Sequence, residues 1–344
     1  MTGAIGAAQA ADLPTVRWRL ASSFPKSLDI LFGGAELLAD RVSRMTAGKF
    51  QIRTFAAGEI IPGAKVLDAV QDGTVECGHT ASYYYVGKNI AFAFDTALPF
   101  GLTARQQNAW LYAGGGLKAM RALFNDYHII NFPGGNTGTQ MGGWFRAPIQ
   151  SLADLKGLKM RIPGPGGQVM ARLGAVPQAI APTDIYPALE RGAIDATEFV
   201  GPYDDEKLGF YKVAKHYYYP GWWEGSAMLS FLVNLKQWQA LPEPYQMAFQ
   251  CAAAEANVTM LAEYDARNPP ALARLLRHGT KLHPFPKDLM LAARKAAFEM
   301  YDEEAAKNPV FKKIYTEWRK FGDNSRQWFK VAESTYENFL YYTK

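Results

Sequence analysis

The sequence predicts an α/β protein of two lobes followed by a helical C-terminal extension. Three observations carry that prediction. The chain has 344 residues, the size at which a single core usually divides into two. Strand-like and helix-like stretches alternate as β-α-β-α-β from Val16 onward, an order that builds a largely parallel sheet. The alternation then resumes beyond a glycine-rich join around Gly134 to Gly138.

The elements follow from local pattern. Val16, Trp18 and Leu20 alternate with Arg17 and Arg19, and Phe50, Ile52 and Thr54 with Gln51 and Arg53, the period of two expected of strands. Between them Ile30, Leu31, Leu37, Leu38 and Val42 form the apolar stripe of a helix, with Ser27 as its cap and Gly48 after its end. A helix near Lys65 to Gln71 and a strand within Thr74 to Ala81 complete the first run. In the second run, Met141 to Phe145, Leu158 to Ile162, Val176 to Ile180 and Ile194 to Phe199 read as strands, with helices at Gln168 to Leu173 and Asp184 to Arg191. A long helix-forming stretch from Pro242 is expected to stop near Arg267, because Pro269 and Pro270 lack the N–H and clash with the preceding turn. Lys287 to Lys344 reads as helical and rich in aromatics.

Composition excludes several classes. Hydrophobic residues make up 49% and charged residues 20%, and no apolar run is long enough for a membrane span. The net charge of +5 is spread along the chain, without the Lys/Arg blocks of a nucleic-acid groove, so no nucleic-acid partner is expected. Ala8-Gln9-Ala10 fits the A-x-A cleavage pattern and predicts an exported, periplasmic protein trimmed from a signal peptide. Cys77 and Cys251 match no CxxC or metal-ligand spacing and read as two buried free thiols.

Enzyme motifs are absent: no G-x-S-x-G, no H-E-x-x-H and no G-x-x-x-x-G-K-[ST]. Gly164-Pro165-Gly166-Gly167 reads as the turn that opens a helix rather than a phosphate loop. The five histidines, His79, His128, His216, His278 and His283, show no zinc-site spacing.

The informative stretch is Asp154 to Pro163. Met160 and Ile162 face one side of a strand and Lys159 and Arg161 the other, and Pro163-Gly164 ends it, so Arg161 stands at the carboxyl end of a sheet strand. That end borders the ligand crevice of open α/β sheets, and a guanidinium there presents a planar fork matching a carboxylate. A solvated surface arginine fits the same pattern.

The run Asp154 to Pro163, with Gly174-Ala-Val-Pro177 and Ile185 to Glu198, resembles the solute receptors of tripartite ATP-independent periplasmic (TRAP) transporters. Ala57-Gly58-Glu59, Val66 to Gly73 and Leu98-Pro99-Phe100 extend the resemblance over nearly the whole chain. Thr197 to Asp205 with Gly221-Trp222-Trp223-Glu224-Gly225 is similar to the 2-oxoacid (pyruvate-type) branch. The resemblance implies a type II-like periplasmic binding protein fold, two α/β lobes joined by a crossing helix and closing over a carboxylate held by Arg161. It also implies a Na⁺ or Ca²⁺ ion bridging ligand and protein through Gln140, Glu198, the Phe199 carbonyl and Glu224, with no organic cofactor. Phe199 stands where that branch is expected to carry tryptophan.

Charge makes such a set coherent. Unit charges ~4 Å apart at an effective dielectric of ~20 interact by roughly 4 kcal/mol, so Glu198 and Glu224 would repel a bare anion. A hard, oxygen-seeking cation removes the conflict. Counting Arg161, two glutamates and a monocarboxylate favours Ca²⁺, while the resemblance leans to Na⁺. Trp223 and Tyr84 are further candidates for the substrate wall, though Trp222, Trp223 and Tyr83 to Tyr85 also suit lobe packing. Singly, Glu198 equally reads as an exposed strand end and Glu224 as a turn cap.

The lobes are expected at 12–138 with 226–262 and at 139–225 with 263–305, and the extension at 306–344. Its stripe of Phe311, Ile314, Tyr315 and Trp318, then Phe329, Phe339 and Tyr342, must bury itself on the lobes or on a second copy, and the branch implies a homodimer. The expected activity is transport without catalysis: a periplasmic receptor for a small 2-oxo or 2-hydroxy monocarboxylate such as pyruvate or lactate, handing it to membrane permease subunits. The rivals are a receptor for another organic acid, a receptor for a neutral sugar, which would not need Arg161, and an exported hydrolase using Glu198 and Glu224 as acid and base.

Overall fold

The computed structural model describes residues 13–343, so the Ala8-Gln9-Ala10 pattern lies outside the described residues. The chain runs through β1 (Val16–Ser22), α1 (Asp29–Met45), β2 (Phe50–Phe55), α2 (Val66–Gln71), β3 (Cys77–Thr80), α3 (Ala93–Thr96), α4 (Ala104–Tyr112), α5 (Gly116–Asn125) and β4 (Ile129–Asn136). It crosses to β5 (Trp144–Phe145), β6 (Lys159–Arg161), α6 (Gly164–Arg172), β7 (Val176–Gln178), α7 (Pro182–Glu190), β8 (Ala196–Thr197), α8 (Pro202–Leu208) and β9 (His216–Tyr219). It returns as β10 (Met228–Asn234), α9 (Leu235–Ala240) and α10 (Glu243–Arg277), then ends in β11 (Lys281–Pro284), α11 (Lys287–Lys307), α12 (Pro309–Val331) and α13 (Glu333–Tyr342).

These strands form two mixed sheets, in the orders β2-β1-β3-β10-β4 and β11-β9-β5-β8-β6-β7. In the first, β1 pairs parallel with β2 and β3, whereas β10 runs antiparallel to β3 and β4. The departure from the expected parallel order has a simple cause. β10 re-enters the first sheet from the crossing, at the end where β4 leaves it. One face of this sheet is closed by an aromatic layer in which Trp18, Phe50, Phe132, Phe231, Tyr245 and Phe249 are buried. Each such ring removes apolar surface worth about 1.5–3 kcal/mol from water.

The expected break at Pro269-Pro270 is corrected: α10 runs 35 residues, through both prolines. Each proline still deletes a backbone donor, but packing holds the helix on either side. Before them, the Tyr264 hydroxyl donates to Asp204 at 2.6 Å and Asn268 Oδ1 accepts from Tyr203 N at 3.0 Å; beyond them, Arg274 Nη2 reaches Glu206 at 2.6 Å. α10 packs against α1 and β4 of the first lobe and α8 of the second, and so is the crossing helix.

The glycine-rich join is also corrected, since Gly134 and Gly135 lie inside β4, paired with β10. A Cβ on Gly134 would stand 2.3 Å from the Phe231 ring, so glycine permits close packing here rather than a turn. α1 begins at Asp29 with no side-chain cap, which excludes Ser27. Both cysteines are free, but Cys251 is exposed where burial was expected. Among the described residues no helix is long and apolar enough to cross a membrane. In the extension, Phe311, Ile314, Tyr315 and Trp318 of α12 are buried on the protein's own core, whereas every residue from 334 to 343 is exposed.

Candidate functional site

The site is assembled where the two sheets face each other. Arg161 closes β6 and Thr197 closes β8, and the two are register partners in parallel strands, so Arg161 and Glu198 emerge side by side at the carboxyl edge of the second sheet. The strands are short, β6 ending at Arg161 and β8 at Thr197, so the residues that follow run out of the sheet into the cleft. Arg161 Nε donates to the Ile180 carbonyl at 3.1 Å. Its Nη1 donates to the Glu198 carbonyl at 3.2 Å and forms an ion pair with Glu198 Oε1. Nη2 has no partner among the described residues. The Phe199 ring lies beneath the guanidinium, 5.6 Å from its centroid, a cation–π contact.

Gln140 and Glu224 sit on the two strand-to-strand crossings. The segment after β4 and the segment before β10 hydrogen-bond to each other: Gln140 N donates to the Glu224 carbonyl at 3.1 Å, Gly221 N to the Gln140 carbonyl at 2.8 Å, and Thr137 N to the Ala227 carbonyl at 3.1 Å. Gln140 therefore lies on the paired crossings that join the two sheets. Its Nε2 donates to Thr137 Oγ1 at 3.1 Å, which orients the amide with its oxygen free.

Burial decides what these groups can do. Arg161 is 3% exposed, Gln140 4%, Glu198 0% and Glu224 5%, so all four side chains are largely removed from bulk water. Three oxygens in this set, Gln140 Oε1, Glu198 Oε2 and Glu224 Oε2, are buried without a hydrogen-bond partner. Such acceptors are costly to leave bare. Burial raises the Glu198 carboxyl above its ordinary range against the pull of Arg161, and burial together with the Glu198 charge raises Glu224 well above its own. A hard cation held by these oxygens would give them the partner they lack and would relieve the two carboxyls of their need to hold protons. The donor set thus fits Na⁺ or Ca²⁺.

A small cavity of about 20 Å³, room for about one water, lies between the lobes. Its lining includes Phe24 and Leu31 from the first lobe, Thr137 and Gln140 from the segment that follows β4, and Arg161 and Phe199 from the second. Tyr83 and Tyr84, in the turn Ser82–Tyr85, complete it, their rings packed edge to face at 5.0 Å. A larger space of about 430 Å³ shares Tyr83, Tyr84 and Arg161 with it and is walled by Pro62, Ala64, Val86, Ile180 and Pro182. Arg161 is the one charged residue on its lining. Gly164 lets the lobes meet here: a Cβ on it would come 2.7 Å from the Tyr83 ring.

Six sequence candidates, Gln140, Arg161, Glu198, Phe199, Glu224 and Tyr84, are brought together. Trp223 is not among the residues lining either cavity; it is 1% exposed and packs against Trp222, Phe285 and Gly166. Sequence reasoning missed Thr137, which orients Gln140, and Asp205, which accepts from Trp144 Nε1 at 2.9 Å, from the Tyr217 hydroxyl at 2.6 Å and from Val200 N, and so fixes the loop carrying Glu198 and Phe199. Asp205 falls at the end of the quoted Thr197 to Asp205 stretch, but no spacing marks its role. Thr137 has no sequence signal at all.

Residues 21–308 match the model of the bacterial extracellular solute-binding proteins, family 7. The chain belongs to this family. The family 7 receptor is 57% identical over 329 residues to a monocarboxylate 2-oxoacid-binding periplasmic protein of Nostoc sp. (strain PCC 7120), covering 96% of this chain and 90% of that one. Its fold matches a TRAP transporter solute-binding protein of Bordetella bronchiseptica RB50, with a TM-score of 0.94, 55% identity, and coverage of 95% of this chain and 98% of that one. That protein is a mixed-occupancy dimer with copurified calcium and picolinate in one active site and the other site apo. A TRAP periplasmic solute-binding protein of Pseudoalteromonas atlantica T6c, with sodium and pyruvate bound, matches with a TM-score of 0.92 and 40% identity, covering 94% of this chain and 99% of that one. The expected TRAP receptor fold is therefore the fold of this family 7 receptor, and its class is an extracytoplasmic solute-binding protein.

Proposed function

We propose that this receptor serves a TRAP transporter and captures a small 2-oxo or 2-hydroxy monocarboxylate together with Na⁺ or Ca²⁺, passing the acid unchanged to membrane permease subunits. The observation that carries the reading is the trio of buried, unpartnered oxygens of Gln140, Glu198 and Glu224 beside the Arg161 guanidinium. Arg161 meets the carboxylate through Nη2; the glutamates, Gln140 and the Phe199 carbonyl hold the cation; Tyr84 and Phe199 wall the acid. When bound, the cation supplies charge neutralisation between carboxylate ligand and carboxylate protein. A neutral sugar leaves Arg161 and both glutamates without purpose.

The division into lobes at 12–138 with 226–262 and 139–225 with 263–305 is part of the proposal, with closure about the paired crossings. So is a homodimer through 306–344, supported by the exposed Trp328, Tyr336, Phe339, Leu340, Tyr341 and Tyr342 and by the dimeric Bordetella relative. Mass spectrometry of the small molecule released on denaturing the purified receptor tests the function. A 2-oxo or 2-hydroxy monocarboxylate supports it; a sugar, or an acid recovered as a cleaved product after incubation, contradicts it.

A further inference from the structure

The first turn of α1 carries one carboxylate, Asp29, across the cleft to three donors on the far side. It accepts from the Tyr203 hydroxyl at 2.9 Å, from Lys207 Nζ, and from Arg267 Nη1 at 3.3 Å. The donors are arranged without its help. Arg267 Nη1 donates to the Tyr203 oxygen at 2.8 Å, and the Lys207 ammonium and Arg267 guanidinium stand 4.2 and 5.3 Å from the centroid of the Tyr203 ring. Two cations thus share one aromatic ring, with Glu263 beside Arg267 at 3.0 Å as the other carboxylate of the group.

Tyr203 and Lys207 belong to α8, which is locked into the second lobe. Asp204 takes the Tyr264 hydroxyl at 2.6 Å, Glu206 pairs with Arg274 at 2.6 Å, and Asp205 ties the helix to Trp144 and Tyr217. The same helix begins directly after the loop that bears Glu198 and Phe199. This helix therefore follows the ligand loop directly and, together with Arg267 of α10, forms a cationic socket. Asp29 is the group from the first lobe that fills the socket.

We infer that Asp29 is a positioning residue for solute capture: seated among Tyr203, Lys207 and Arg267, it holds the lobes shut and sets the rate of solute release without touching the solute. This rests on the reading that the receptor works by lobe closure. The partners keep 46%, 32% and 42% of their side-chain surface in water for Asp29, Lys207 and Arg267, so a single neutralisation has a modest effect. Asp29→Asn is expected to speed release about two- to fivefold. Asp29→Lys, which puts a like charge into the socket, is expected to speed it tenfold or more, with the difference shrinking at about 1 M salt, where the Debye length is ~3 Å.

The test pairs stopped-flow release of pyruvate from the full-length, cation-loaded receptor with single-molecule fluorescence distances between the lobes of the solute-free protein. Release should quicken in the order Asp29→Glu, Asp29→Asn, Asp29→Lys, and the double variant Asp29→Lys with Lys207→Asp should recover part of the loss. Solute-free Asp29→Lys should spend less time closed than the parent. Release rates and lobe distances within twofold of the parent in both Asp29→Asn and Asp29→Lys would overturn the inference. Should the parent bind neither pyruvate nor lactate, the functional reading fails, while the lobe distances still decide the role of Asp29.

Discussion

Replacing Arg161 by alanine is the sharpest perturbation of the proposed site. In the closed structure Nε and Nη1 are engaged by Ile180 and Glu198, which leaves Nη2 for the acid, with Nη1 shared once Glu198 turns to the cation. One to two charge-assisted hydrogen bonds are lost, at about 1.5–3 kcal/mol each. A loss of about 3 kcal/mol corresponds to roughly a 150-fold weaker Kd. The truncation also strips Glu198 of its buried partner, a change that costs about 3–5 kcal/mol when one ion remains. Melting of the solute-free variant separates that effect from binding. Arg161→Lys retains the charge and loses the planar fork, so its affinity should fall between the two. Calorimetric titration with pyruvate in the presence of Ca²⁺ reads all three proteins. A Kd for the folded Arg161→Ala variant within threefold of the parent would refute the role given to this side chain.

Three further outcomes are expected. His79 is fully buried, stacked on Phe231 at 4.6 Å with both ring nitrogens unpartnered, and burial pushes its pKa down to about 3. The unfolded chain takes up this proton near its ordinary value of about 6.5 and the folded one does not, so the histidine's contribution to stability is complete above that pH and falls on acidification toward 3, by up to roughly 1.4 kcal/mol per pH unit. Burial raises Asp204 and Asp205 to about 7, which acts in the opposite sense, with stability falling as pH rises from about 4 to 7. The difference between His79→Phe and the parent in denaturant titrations should therefore grow in favour of the variant between pH 6 and 4; a difference independent of pH would contradict this. Gly134→Ala should lower stability by about 1–3 kcal/mol through overpacking against Phe231, read from the thermal midpoint, and an unchanged midpoint would show that β4 can yield there. Deleting residues 333–344 should turn a dimer into a monomer by light scattering with pyruvate affinity retained, whereas a monomeric parent would remove the dimer from the account.

Much of the fold was legible because its signals are local. The alternation in Val16 to Leu20 and Phe50 to Thr54 gave β1 and β2, and α1 followed from its apolar stripe. The second sheet was found, but its strands shrank, β5 and β8 to two residues each: residues 141–143, before β5, still belong to the paired crossings, and the chain turns into the cleft as soon as β8 has placed Thr197. α10 was misread at Pro269-Pro270, since a local rule cannot see Tyr264, Asn268 and Arg274 anchoring the helix on both sides. Gly134 was misread for a related reason: glycine marks turns and close approaches alike, and only the position of Phe231 separates them.

The candidate site was legible to a similar degree. The strand-end position of Arg161 came from the sequence pattern itself, and adjacent β6 and β8 bring Glu198 beside it. Gln140 and Glu224 needed the family resemblance, because the pairing of the two crossings joins residues far apart in sequence. Trp223 shows the limit of that approach, since an aromatic beside a candidate ligand is buried in the core.

The central claim is that acid and cation are caught together. Calorimetric titration of the chelator-stripped receptor with pyruvate, in Ca²⁺, in Na⁺ and with neither, tests it most directly. The account predicts tight binding with a cation and a loss of at least about tenfold without one, from like-charge repulsion among the acid, Glu198 and Glu224. Equal affinity in all three conditions would contradict it.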